Sequence, residues 1–134
     1  MKFNKHTQFV YSYIQKNYAS HFSLKKLEQS TSVSSTYLNA LFKKDIGQSI
    51  YSFLTEIRIK KAQNLLAEQT MSINAIATKV GFKSLRSFEI AFAKQLGITP
   101  TYYIKRIKNK NVVLWVDHDT RAIYSDRDNH FPKN

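Results

Sequence analysis

Asn39 and Arg86 are two of the side chains with the chemistry to read the edge of a base pair. The carboxamide of Asn39 can pair with the donor and acceptor of adenine, and the guanidinium of Arg86 matches the two acceptors of guanine. Other groups around them suit a sugar–phosphate backbone: the ammonium groups of Lys43 and Lys83 and the hydroxyls of Ser35, Ser84 and Ser87. Thr36, Leu85 and Ile90 offer apolar contact to a thymine methyl. Glu89 could accept from cytosine N4 or stand solvated beside Arg86.

Other chemistries find little support. With no Cys there is no disulfide, no thiolate zinc site and no thiol nucleophile. The four His residues, at 6, 21, 118 and 130, lack the spacing of a metal site. Asp117, His118 and Asp119 are sequential neighbours on a turn-like stretch, which seldom converge on one ion. No nucleophile elbow, phosphate-cradling glycine loop or catalytic acid pair is present. The chain is therefore expected not to be an enzyme and to need neither metal nor cofactor.

The elements that must position these groups follow one layout, written twice about fifty residues apart. In the first copy Ser23 precedes a short helix carrying Leu24 and Leu27. The hydroxyl-rich run 30–35 then makes a turn around Val33, and a second helix opens on Ser34 and buries Leu38, Leu41 and Phe42. In the second copy Ser72 precedes a helix with Ile73, Ile76, Ala77 and Val80. Gly81 and Phe82 make the turn, and Ser84 opens a helix with Phe88, Ala91, Phe92 and Leu96. Helical spacing also predicts a first helix over 7–19, a long linker helix over 49–68 and a short last helix over 101–108. Gly97 and Pro100 end the second copy. From 112 to 116 the residues become β-branched and aromatic, and 122–124 could be a return strand. A small hairpin over 112–124, with Trp115 capping the helices, is the first expectation there. A helical extension or a loose tail is the alternative, and the last residues read as a mobile tail. The fold class is thus all-α: two helix-turn-helix subdomains joined by a long central helix, with a small C-terminal extension.

The 134 residues suit one compact domain with an appendage, and 43% hydrophobic content can build its core. The net charge of +12 is concentrated. Residues 1–111 hold 18 Lys/Arg against 5 Asp/Glu, whereas residues 112–134 hold 3 against 4. The repeat-bearing body therefore carries the whole excess, a field that attracts polyanions. No apolar run is long enough to span a bilayer and the N-terminus has no signal-peptide core, so a cytoplasmic protein is expected.

The second copy resembles the DNA-binding domain of the AraC/XylS family of transcriptional regulators. The resemblance lies in Ile76-Ala77-x2-Val80-Gly81-Phe82, in Phe88-x3-Phe92, and in Gly97-x-Thr99-Pro100-x2-Tyr103. The linker pattern Arg58-x3-Ala62-x2-Leu65-Leu66 fits too, as do Leu27, Ser34, Tyr37, Leu38, Phe42, Lys43 and Gly47 of the first copy. The match covers about 5–107, with helix-turn-helix units at about 23–44 and 72–96. It implies a sequence-specific transcription regulator that inserts recognition helices 34–44 and 84–96 into adjacent major grooves of promoter DNA. Val33 and Phe82 would plug the angle between paired helices, and the outward set would be Ser35, Thr36, Asn39, Ala40 and Lys43, then Lys83 to Ser87, Glu89 and Ile90.

The sequence departs from MarA-like members at Ala40 and Ile90, where those carry long basic or amide side chains. Base specificity does not transfer, and shape and phosphate contacts would carry more of the affinity. With few residues flanking the match, the chain resembles the stand-alone type, without a small-molecule effector domain. Double-stranded DNA and RNA polymerase are the implied partners, and no membrane. Activator behaviour in a bacterial nucleoid is the implied setting. Monomeric binding is expected, with dimerisation through the extension as the alternative. A second reading keeps the fold but makes it a protein-interaction module that sequesters another regulator.

Overall fold

The computed structural model describes residues 2–109 and the backbone of 114–116 and 123–125. Among the described residues the chain forms α1 (Lys5–Asn17), α2 (Leu24–Thr31), α3 (Ser35–Ile46), α4 (Ile50–Glu68), α5 (Ile73–Lys79), α6 (Leu85–Leu96) and α7 (Pro100–Lys108). Two short strands follow, β1 (Leu114–Val116) and β2 (Ile123–Ser125), paired antiparallel with Trp115 opposite Tyr124. The body is all-α as expected. The expected cap formed by the Trp115 side chain, the turn between the strands and the tail beyond Ser125 lie outside the described residues.

The helix boundaries follow from capping. The first helix begins at Lys5, earlier than the apolar spacing suggests, because the Asn4 side chain accepts from the His6 N–H. Asn4 is held in turn by its own N–H, which donates to Asp45 Oδ2 at 3.1 Å. Ser34, Ser72, Ser84 and Thr99 each accept a first-turn N–H of the helix that follows. Pro100 occupies the first position of α7, where a missing N–H costs no helical hydrogen bond. Gly47 and Gly97 close α3 and α6 at φ 93° and 81°, a left-handed conformation in which a Cβ would be strained.

Two compact units divide between Lys60 and Lys61, within α4. The core of the first gathers Val10 and Ile14 of α1, Phe22, Leu27 of α2, and Leu38 and Phe42 of α3. Ile50, Phe53, Leu54 and Ile57 of α4 complete it. Val33 packs against this core from the turn, partly buried. Arg58 ties the loop after α1 to α4, donating from Nε to the Tyr18 carbonyl at 2.7 Å and from Nη2 to that of Ser20 at 3.1 Å. Burial lowers the pKa of this guanidinium. In the second unit Ile76, Ala77, Val80, Phe88 and Phe92 are buried. Its aromatic rings form a run, with centroid distances of 5.4 Å for Phe82–Phe88 and 5.6 Å for both Phe88–Phe92 and Phe92–Tyr103.

Candidate nucleic-acid interface

Leu38 and Phe42 are 1% and 0% exposed, which fixes the rotation of α3 about its axis. At 100° per residue the opposite arc carries Thr36, Tyr37, Ala40, Lys43 and Lys44, and all five are exposed. Thr36 and Lys43 therefore stand where the sequence pattern put them. Tyr37 and Lys44 join them, although base and phosphate chemistry alone did not single them out. Tyr37 sits next to the buried Leu38 along the chain but is 50% exposed.

Ser35 and Asn39 depart from the expected outward set. Both lie on the flank of α3, are only partly exposed, and are bonded inside the first unit. The Ser35 N–H donates to Glu28 Oε2 at 2.6 Å. This N–H, with the Ser35 hydroxyl, holds the Glu28 carboxyl below its ordinary pKa. Asn39 Oδ1 accepts the Ile50 N–H at 2.9 Å, which caps the start of α4. Asn39 is thus a helix cap: the oxygen that an adenine N6 would need already serves Ile50. The pairing spans eleven residues. Single-sequence capping patterns, which look one turn ahead, do not reach it.

In α6 the buried pair Phe88 and Phe92 plays the same part, and the exposed arc carries Arg86, Ser87, Ile90 and Lys94, preceded by Lys83 and Ser84. Ile90 is 55% exposed, an isolated apolar group on a polar face. Leu85 is only partly exposed, and Glu89 lies on the flank matching Asn39. Ser84 and Ser87 form a reciprocal capping box. The Ser87 N–H donates to Ser84 Oγ at 3.0 Å and the Ser84 N–H donates to Ser87 Oγ at 3.3 Å. Their hydroxyls, expected to serve phosphates, are engaged with each other while still facing water.

One left-handed residue in each unit, Ser32 at φ 61° in the first and Gly81 at φ 109° in the second, turns the first helix of the pair toward the second. Phe82 follows Gly81 and packs its ring at a tilt against Phe88, so the turn apolar and the second helix share one packing unit. Each unit has the helix, sharp turn and exposed second helix through which proteins enter a major groove. The units carry similar charge: residues 1–60 hold nine Lys/Arg against three Asp/Glu, and residues 61–109 hold eight against two. Among the described residues no three His, Cys, Asp or Glu side chains gather as metal ligands. Asp117, His118 and Asp119 lie outside them.

This architecture is that of a helix-turn-helix DNA-binding module, and a helix-turn-helix domain family model matches residues 27–106. The chain belongs to the AraC-type family of helix-turn-helix DNA-binding domains. It is 34% identical over 96 residues to the raffinose operon transcriptional regulatory protein of Pediococcus pentosaceus, covering 72% of this chain and 35% of that protein. It is 31% identical over 100 residues to the lactose operon transcription activator of Staphylococcus xylosus, covering 75% of this chain and 36% of that one. The chain thus spans about a third of the length of these relatives.

Among solved structures, the C-terminal domain of the response regulator AraT from Geobacillus stearothermophilus superposes with a TM-score of 0.74 at 28% identity, covering 88% of this chain and 96% of that one. The DNA-binding domain of AdpA, solved in complex with a target DNA, shares the fold with a TM-score of 0.74 at 21% identity. It covers 81% of this chain and 97% of that domain. Among the described residues no helix is long and apolar enough to cross a membrane.

Proposed function

We propose that this chain regulates transcription by inserting α3 and α6 into adjacent major grooves of promoter DNA, with α6 leading the sequence readout. One observation carries the reading. Both units bury an apolar pair on the inner face of the second helix, Leu38 and Phe42 or Phe88 and Phe92, and leave a polar, cationic arc outside. Arg86 reads guanine, and Ile90 and Thr36 meet thymine methyls. Lys43, Lys44, Lys83 and the Tyr37 hydroxyl hold phosphates. With Asn39 engaged as a cap, direct readout falls mainly on the second unit.

The relatives are operon regulators by name, which supports a promoter as the target and RNA polymerase as a partner. Binding is monomeric in this reading, because one chain supplies both helices, and the two unlike arcs ask for two unlike half-sites. Recognition helices of a monomer must then reach grooves about 34 Å apart. The setting is the bacterial cytoplasm, at the nucleoid.

Selection from random duplexes tests this reading. A motif spanning two adjacent grooves is expected, relaxed at one G·C pair by Arg86→Ala. Ala40 and Ile90, outward yet unable to make bidentate contacts, favour a second reading in which the same fold sequesters another regulator. Equal affinity for all duplexes, with a steep salt dependence, would decide for that second reading.

A further inference from the structure

We infer that Glu28 sets the DNA affinity of the first unit by holding a carboxylate over the groove-facing end of α3; this rests on the DNA-binding reading above. Its Oε2 accepts the Ser35 N–H at 2.6 Å, at the first residue of the recognition helix. The unpaired first-turn N–H groups and the helix dipole favour an anion there, and a carboxylate of this chain supplies one. Thr36, on the exposed arc, is the next residue along the helix. A phosphate approaching this end of α3 therefore meets a negative charge and must displace it.

Among the described residues of the second unit no carboxylate stands in the first turn of α6. Counting from Ser23 and Ser72, the residues that precede α2 and α5, Glu28 matches Ala77, which is 1% exposed in the core. The start of α6 is capped by the neutral pair Ser84 and Ser87, with Lys83 and Arg86 beside it. Net charge does not separate the units, since each carries the same excess over its described residues. The difference resides in where one carboxylate stands.

A structural cap needs only an acceptor, which Gln retains, whereas an affinity-setting charge is lost in Glu28→Gln. The full chain is titrated by fluorescence anisotropy against duplex DNA across ~0.05–0.2 M salt. Glu68→Gln, the same charge change at the exposed end of α4, is the control. Glu28→Gln is expected to bind about threefold to tenfold tighter at ~0.1 M salt, and to steepen the log–log salt slope by up to about one phosphate equivalent. Glu68→Gln should stay within about twofold of the wild type. Glu28→Ala, which restores the residue type of the second unit, should also tighten binding, with melting curves recording its fold.

Equal affinity of the Glu28→Gln and Glu68→Gln proteins overturns the inference. A second readout uses the wild type alone. The Ser35 amide resonance should move on duplex binding as the carboxylate is displaced, and a Ser35 amide that stays fixed while the Arg86 signals move also overturns it. A wild type that binds all duplexes alike removes sequence specificity but leaves this inference open to the same slopes. A wild type that binds no duplex removes both.

Discussion

The two helix-turn-helix units share a frame position by position and differ in what they do with its polar ends. Ser34 and Ser84 cap the second helix of each unit, and Gly47 and Gly97 close it, each pair fifty residues apart. The next helix is capped by Ser49 in one unit and Thr99 in the other. An inclined ring contact repeats as well, with centroids of Phe42 and Phe53 5.4 Å apart and those of Phe92 and Tyr103 5.6 Å apart. Against that shared frame Glu28 stands where the second unit has Ala77. The Asn39–Ile50 bond likewise stands where the second unit has Glu89 and Pro100. The frame is fixed by packing, and the two units differ in the hydrogen bonds made at its helix ends.

The largest effect tests the frame itself. Phe42 and Phe92 are both 0% exposed, and truncating either to Ala should cost roughly 3–5 kcal/mol. If the units fold separately, Phe42→Ala should weaken amide exchange protection mainly within residues 1–60, and Phe92→Ala mainly within 61–109. Uniform loss of protection from either substitution would show that one cooperative fold joins them. Next in size is the readout: Arg86→Ala should cost about 1–3 kcal/mol on the selected duplex and relax one position, while Thr36→Ala, its counterpart fifty residues earlier, should cost under about 1 kcal/mol. Equal losses measured by anisotropy would remove the asymmetry in readout.

Much of this frame was legible in the sequence, because serine caps, left-handed glycines and apolar spacing act within one helical turn. The doubled layout, the all-α class and the buried faces of α3 and α6 follow from such local rules. The polar site was less legible for a physical reason. Ser35 and Asn39 have the right chemistry for DNA, but their partners Glu28 and Ile50 are seven and eleven residues away and are met only after folding. Ser84 and Ser87 illustrate the same ambiguity at short range, since a hydroxyl that suits a phosphate suits a helix N–H equally well. Helix phase, fixed by Leu38 and Phe42, decides the remainder: it turns Tyr37 and Lys44 outward and Asn39 to the flank.

Asn39 offers a smaller and sharper test. If it is a cap, Asn39→Ala leaves the Ile50 N–H without its acceptor and should cost about 1 kcal/mol in stability, with unchanged base preferences in duplex selection. Asn39→Asp, which keeps an acceptor, should recover most of that stability. Glu89→Ala, at the matching position, should change stability by less than about 0.5 kcal/mol, because Pro100 has no N–H to cap. A relaxed adenine preference in a fully stable Asn39→Ala protein would return Asn39 to the groove.

The smallest expected effect is acid sensitivity confined to one unit. The Ser35 backbone N–H, then its hydroxyl, lowers the Glu28 pKa, and a hydrogen bond from Gln48 does the same for Glu56. Both carboxylates belong to the first unit. A group whose folded pKa lies below its unfolded value stabilises the fold above the unfolded pKa and loses that contribution as pH falls through the folded one. The first unit should therefore loosen as pH drops from the ordinary carboxylate range toward the depressed values, ahead of the second unit. Amide resonances followed from about pH 6 to pH 3 check this. Ser35 should titrate together with the Glu28 carboxyl, while amides at the start of α6, capped by Ser84 and Ser87, should stay still until global unfolding. Glu28→Gln should abolish the Ser35 titration, and a Ser35 amide that still titrates in that variant would place the responsible carboxyl elsewhere.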